Sequence, residues 1–304
     1  MSSYILGLDI GGTNIRIGAV RETGEAPFFE KVPRISVLDG TEPVQKLCGF
    51  IAGFIDRYAL AGQVTAVSVG LPGIMNRACD TVVQAPNIPG LDGINFVAPM
   101  EAALHVPVFL CKDVWTAFHY DMRKYAVSWN GVVIAVYVGT GIGNVISVNG
   151  TLLAGKNGAA GELGHIPMDG SREPCGCGNL GCLENYAAGK YLAKLCGTGE
   201  FRGTPVGELF TRHNGHPLLE QFVDRVAMAA ATEINILDPD AVLLGGGVLA
   251  MRDFPVELLS ARIREHSRKP NPSGNLELIY TSDDERKGAV GAALYGWQRI
   301  GQRQ

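Results

Sequence analysis

Tyr4-Ile5-Leu6-Gly7-Leu8-Asp9-Ile10-Gly11-Gly12-Thr13-Asn14-Ile15-Arg16-Ile17-Gly18-Ala19-Val20 is the stretch on which the fold turns. Apolar extended segments, Tyr4 to Leu8 and Ile15 to Val20, flank a turn of small residues, and this pattern predicts a β-hairpin. The pattern returns at Val132-Val133-Ile134-Ala135-Val136-Tyr137-Val138, followed by Gly139-Thr140-Gly141-Ile142-Gly143 and Val145 to Val148. A strand, a small-residue turn and a strand, met twice, predict two related lobes facing one cleft.

Between and beyond the hairpins the chain alternates helical and extended patterns. A helix is expected from about Val44 to Tyr58, strands at Val64 to Leu71 and Val106 to Cys111, and a further helix after Asp113. A helix-rich stretch from Pro217 to Leu237, the strand Ala241 to Leu244 and a closing helix around Ala289 to Ile300 complete an α/β pattern. The expected division is an N-terminal lobe of residues 1–114, with the closing helix of about 289–304 packing back on it, and a C-terminal lobe of 115–288.

The 304 residues are 46% hydrophobic and 18% charged, as in a folded globular chain, with a formal net charge of −4. That balance gives no electrostatic footprint for nucleic acid or an anionic membrane. Arg262, Arg264, Arg268 and Lys269 read as the solvated face of a helix. No apolar run approaches the roughly 20 residues that span a bilayer, and the first strand starts too early for a signal peptide, so a cytoplasmic location is expected. Seven cysteines without a disulfide-like pattern agree with a reducing compartment.

Both glycine turns have a chemical reading. Residues without bulky side chains let successive backbone N–H groups converge on phosphate oxygens, and Thr13 and Thr140 add hydroxyl donors. Asp9, ending the first strand, is placed to hold Mg²⁺ through water. Ordinary hairpin turns would show the same residues. Neither a Gly-x-x-x-x-Gly-Lys-Ser/Thr run nor a dinucleotide fingerprint is present.

A second cluster lies at Gly161-Glu162-Leu163-Gly164-His165 and Cys175-Gly176-Cys177-Gly178-Asn179-Leu180-Gly181-Cys182-Leu183-Glu184. Cys175, Cys177, Cys182 and His165 match a tetrahedral Cys₃His zinc site, because zinc takes four nitrogen or sulfur ligands and short Cys-x-Cys spacing presents two from one loop. Buried cysteines beside a core histidine are the plainer alternative. Glu162 and Glu184 flank the metal without being needed as ligands, which leaves them to hold substrate hydroxyls.

Taken in order, Asp9-Ile10-Gly11-Gly12-Thr13-Asn14, Val138-Gly139-Thr140-Gly141-Ile142-Gly143, the Gly-Glu-x-Gly-His segment, the cysteine knuckle and Leu244-Gly245-Gly246-Gly247 resemble the ROK family of sugar kinases. The resemblance covers essentially the whole chain. It implies two actin- and hexokinase-like (ribonuclease H-like) α/β lobes closing on ATP and sugar, with a structural zinc and Mg²⁺. ATP is then expected at Asp9, Gly11, Gly12, Thr13, Asn14, Gly139, Thr140 and Gly141, with Gly245, Gly246 and Gly247 approaching the nucleotide. The family's catalytic aspartate matches Asp113, which would accept a proton from the sugar hydroxyl. Gly73, Asn87, Glu162, His165 and Glu184 match sugar-contacting positions, His165 doubling as zinc ligand. The family also implies a homodimer.

The chain departs from the family pattern beside the base. The usual Asn-Asp-Ala/Val-Asn is Lys112-Asp113-Val114-Trp115 here, so both asparagines are replaced. Ile234 to Val248, Met251, Phe254-Pro255 and Gly161 to Pro167 most resemble the family's D-allose kinases, which implies 6-phosphorylation of D-allose. Glucokinase, N-acetylmannosamine kinase and fructokinase activities stay open. The family's sugar-responsive transcriptional regulators carry an added DNA-binding segment, which this sequence is not expected to have.

Overall fold

The computed structural model of the chain describes residues 3–85 and 88–302. They form two compact units, one of Met1–Val127, Ala154–Ala159 and Asp284–Gln304, the other of Ser128–Leu153 and Ala160–Asp283.

The first unit contains β1 (Tyr4–Ile10), β2 (Asn14–Val20), β3 (Phe28–Pro33), α1 (Pro43–Arg57), β4 (Val64–Leu71), the short β5 (Ile74–Met75) and β6 (Val82–Gln84), α2 (Val97–Leu104), β7 (Val108–Lys112) and α3 (Asp113–Lys124). Its main sheet has the order β3-β2-β1-β4-β7. The first three strands are antiparallel neighbours, whereas β1, β4 and β7 run parallel. β1 is buried along nearly its whole length, and a strand covered on both faces reads as a continuous apolar run. On α1, Leu47, Ile51 and Phe54 fall at helical spacing and bury one face against this sheet's core.

The second unit repeats the plan. It contains β8 (Val132–Val138), β9 (Ile142–Val148), β10 (Thr151–Leu152), α4 (Glu184–Ala187), α5 (Gly189–Cys196), α6 (Leu209–Arg212), α7 (Pro217–Leu237), β11 (Ala241–Gly245), α8 (Val256–His266) and β12 (Leu278–Tyr280). The order β10-β9-β8-β11-β12 has the same sequence of antiparallel and parallel pairings as the first sheet. The duplication suggested by two hairpins therefore extends to five strands in each unit. Phe222, Val226 and Ile234 of α7 pack with Ile134, Val136 and Leu244 of the strands in one buried cluster.

The last helix, α9 (Lys287–Gly301), belongs to the first unit. Small residues bring it into close contact there: a Cβ on Gly7 of β1 would lie 1.9 Å from the Ala289 carbonyl oxygen, and one on Gly291 would lie 1.8 Å from that of Thr116.

The expected division at 114 falls inside α3. Trp115, Phe118 and Met122 on that helix are buried within the first unit, so the chain leaves the unit only after Val127. The strand expected at Val106 to Cys111 is β7, shifted to Val108–Lys112. Strands of two and three residues, such as β5 and β6, are too short to leave a periodic signal. Among the described residues no helix is long and apolar enough to cross a membrane.

Candidate active site

In the first unit, Asp9, Gly70 and Cys111 lie side by side in register on the parallel strands β1, β4 and β7. Two residues past Cys111, Asp113 opens α3. Both carboxylates thus stand at the carboxyl ends of parallel strands, the edge at which open α/β sheets bind ligands. Gly70 allows the arrangement, because a Cβ there would lie 2.4 Å from Thr116 Cγ2 in the first turn of α3.

Asp113 Oδ1 accepts the Val114 N–H at 2.8 Å, and Thr116 Oγ1 donates to the Asp113 carbonyl at 2.6 Å. Burial raises the Asp113 carboxyl to about 6, the negative charge of Asp9 adds to the rise, and the Val114 N–H and Lys112 oppose it. Asp9 is raised by burial as well, against the pull of Arg16, whose Nη1 lies 3.0 Å from Asp9 Oδ2. Asp9 and Arg16 are direct cross-strand partners in the β1–β2 hairpin. The pairing could have been read from hairpin register in the sequence.

The first glycine turn is closed by the Gly11 N–H on the Asn14 carbonyl at 2.9 Å. Arg34 holds its outer side: Nε donates to the Gly12 carbonyl at 2.8 Å, and the Arg34 N–H donates to the Thr13 carbonyl at 2.8 Å. With those carbonyls turned to Arg34, the exposed turn can offer N–H groups to an anion. Nothing in the local sequence marks Arg34, which reaches the turn through tertiary folding from beyond β3.

The second turn, in the second unit, has the same design with different parts. Gly139 N–H donates to the Gly141 carbonyl at 2.9 Å, while the Gly189 and Lys190 N–H groups at the start of α5 donate to the Gly139 and Thr140 carbonyls at 2.7 and 3.1 Å. Beside it, the loop after β11 is anchored by the Val248 N–H on the Val138 carbonyl at 2.9 Å. Gly246 has φ +96°, and a Cβ there would lie 2.5 Å from that same carbonyl oxygen.

His165, Cys175, Cys177 and Cys182 also come together within the second unit, their ligand atoms all within 4.8 Å of one another. Cys175 Sγ lies 3.6 Å from His165 Nδ1, and Cys177 Sγ lies 3.6 Å from Cys182 Sγ. Tetrahedral zinc with Zn–S bonds near 2.3 Å spaces its sulfurs by about 3.8 Å, so this donor set fits the ion. Tight turns make the cradle: Cys175 N–H donates to the Asn179 carbonyl at 2.8 Å, and Gly181, at φ +73°, sits where a Cβ would meet the Ser171 carbonyl oxygen at 2.6 Å.

The two glutamates border the cradle. His165 turns Nδ1 to the thiols and Nε2 to Glu162, whose Oε2 is 3.7 Å away. Glu184 Oε1 receives Lys190 Nζ at 2.6 Å and lies 3.4 Å from Cys175 Sγ. Burial pushes the Glu184 carboxyl up, but the Lys190 hydrogen bond and charge outweigh it and leave it below its ordinary value. Gly73, in the first unit, has φ +140° and would place a Cβ 2.3 Å from the Gln84 carbonyl oxygen, so the β5–β6 ribbon itself requires glycine there. Trp115 is 7% exposed, with its ring 6.2 Å from that of Tyr295 on α9, and is a core residue. Asn87 lies outside the described residues.

Two units of one sheet plan, each with a braced glycine turn, define the ROK/hexokinase-like class of kinase fold. The ROK family model matches residues 5–298, and the chain belongs to that family. It is 31% identical to an N-acetyl-D-glucosamine kinase of Vibrio cholerae, over 86% of this chain and 89% of that protein. The crystal structure of a ROK family glucokinase from Streptomyces griseus in complex with glucose and AMPPNP is similar at 28% identity and TM-score 0.72, covering 97% of this chain and 100% of that one. A ROK family transcriptional regulator, a homolog of the E. coli MLC protein, shares the fold at TM-score 0.83 and 24% identity, with 97% of this chain and 78% of that chain covered.

Proposed function

We propose that the chain transfers the γ-phosphoryl group of ATP to the 6-hydroxyl of a hexose, with Asp113 as general base. The observation that carries this reading is the place of Asp113, at the start of α3 just past the carboxyl end of β7 and on the same sheet edge as Asp9, where burial and the charge of Asp9 raise its carboxyl. A primary alcohol is a poor nucleophile, and a carboxylate with a raised pKa is a better proton acceptor that is still ionised near neutral pH. Asp113 therefore takes the O6 proton as the O–P bond forms. The N–H groups of the two turns bind phosphate oxygens, and Gly245 to Gly247 border the nucleotide. Mg²⁺, held through water at Asp9, would supply positive charge to the transferring group.

Glu162, His165 and Glu184, with Gly73 and Asn87, are proposed to hold the sugar. Glu184, held 2.6 Å from Lys190, and Glu162, beside His165, are suited to orienting hydroxyls, and most of the catalysis is then positioning. A structural zinc in the Cys₃His cradle would shape this wall, with no open coordination position for chemistry. We also propose a homodimer.

For the hexose we propose D-allose. Its support is the resemblance of several segments to D-allose kinases, and the buried Lys112 where the family places an asparagine. An ammonium donates hydrogen bonds and accepts none, so it favours a different hydroxyl orientation from an amide. A site built for one epimer leaves polar groups unpaired with the other. With Trp115 in the core, Lys112 alone carries the local part of this argument. Glucose and N-acetyl-D-glucosamine, the sugars in the relatives' names, are the competing substrates. The test is kcat/KM for D-allose, glucose, N-acetylglucosamine, N-acetylmannosamine and fructose with ATP. D-allose leading is expected; another sugar ahead by tenfold overturns the substrate and leaves the kinase, whereas sugar binding without turnover favours a regulator.

A further inference from the structure

Lys190 joins the phosphate side and the sugar side of the second unit. Its backbone N–H donates to the Thr140 carbonyl at 3.1 Å, holding the glycine turn. Its side chain, 34% exposed, runs to Glu184, 14% exposed, and places Nζ 2.6 Å from Oε1. The other carboxylate oxygen of Glu184 stands against the turn, since a Cβ on Gly141 would lie 2.7 Å from Oε2. On the far side of Oε1 is Cys175 Sγ, at 3.4 Å. Glu184 is thus fixed between the turn, the cysteine cradle and one ammonium.

We infer that Lys190 is a positioning residue for the sugar: it locks Glu184 in the rotamer that presents Oε2 as a hydroxyl acceptor, and it does so from a backbone anchored on the phosphate turn. This rests on the reading of Glu184 as a sugar contact. A glutamate side chain loses considerable rotamer freedom when fixed, and a partner that fixes it in advance removes that cost from substrate binding. An ion pair joined to a further anchor is suited to this, because the N–H···O⁻ bond is both strong and directional. Lys190 is one residue past Gly189, which can approach the turn because a Cβ there would lie only 2.8 Å from the Gly139 carbonyl oxygen. The side chain is therefore delivered to Glu184 by the same helix start that braces the turn.

The alternative use of the ammonium is a direct contact with an ATP phosphate, and steady-state kinetics distinguish the two. Lys190→Met should raise the KM for the sugar roughly tenfold or more, leave the KM for ATP within about threefold, and lower the melting temperature modestly, because Glu184 loses the partner that offsets its burial. Lys190→Arg should recover most of the sugar affinity. In a double-mutant cycle, adding Lys190→Met to Glu184→Gln should cost little beyond Glu184→Gln alone, because the residue to be positioned has already been altered. A rise in the KM for ATP instead, or a full additional loss in the Glu184→Gln background, overturns the inference. If Glu184→Gln alone leaves sugar KM unchanged, the reading of Glu184 as a sugar contact fails. If it raises KM while Lys190→Met does not, only the inference about Lys190 fails.

Discussion

Gly70 and Thr116 are in such close contact that a methyl group on Gly70 would lie 2.4 Å from Thr116 Cγ2. Thr116 also holds the Asp113 carbonyl, so the missing side chain on β4 sets where α3 begins and where its first carboxylate stands. Thr116 is β-branched and buried, with few rotamers to retreat into. Gly70→Ala should therefore displace the start of α3, lower kcat by roughly tenfold or more, and destabilise the protein by about 1–3 kcal/mol through overpacking. Chemical denaturation and kinetics check both. Normal kcat in a stably folded Gly70→Ala would show that the α3 start does not set the base.

With Asp113 as the proposed base, its raised carboxyl predicts an acid limb: below about 6 it is protonated, and kcat should fall tenfold per pH unit. Stability has the opposite sign. A carboxyl whose folded pKa lies above its unfolded value binds more protons in the folded state, so stability declines as pH rises from about 4 to about 6 and the penalty persists above that. Asp113→Asn removes the penalty and should raise stability near neutral pH by on the order of 2 kcal/mol, read as a higher Tm. A lower Tm for this variant would contradict the account of the buried charge.

Glu233 offers a second titration. It is 5% exposed on α7, and burial pushes its carboxyl up to about 8 despite a hydrogen bond from Asn144 Nδ2 at 2.6 Å. Folded protein therefore keeps this group protonated at neutral pH, and stability is lost as pH rises from about 4.5 through about 8. Glu233→Gln should be near neutral in effect at pH 5 and stabilising by on the order of 4 kcal/mol at pH 9. Urea denaturation at both pH values tests it; an equal effect at the two would place the carboxyl's titration elsewhere.

The zinc proposal is tested by metal analysis of the purified protein, with one zinc per chain expected. Cys177→Ser should lose the metal, lower Tm and weaken sugar affinity, because His165 is part of the cradle and Glu184 borders it. A metal-free protein with undiminished sugar phosphorylation would remove the ion from the account.

What could be read in the sequence was whatever is local. The two hairpins, the cysteine spacing and α1, with its buried residues at helical spacing, all carry their signal within a few residues. Arg34 on the first turn, Lys190 on Glu184 and Gly70 beneath Thr116 depend on segments distant in the chain, and a single sequence does not print such pairings. The boundary at 114 failed for the same reason, since the buried face of α3 is matched by α9 from the far end of the chain. Arg16 is different: hairpin register alone places it opposite Asp9, within reach of the sequence.

The most direct test of the central claim is single-turnover phosphoryl transfer from ATP to D-allose, followed by ³¹P NMR, with wild-type protein and Asp113→Asn at saturating substrates. The expected result is a hexose 6-phosphate from the wild type and a rate at least ~10²-fold lower from Asp113→Asn, with ATP and sugar still bound by the variant. Near-normal transfer by Asp113→Asn, or no 6-phosphate from D-allose or any other hexose with the wild type, would contradict it.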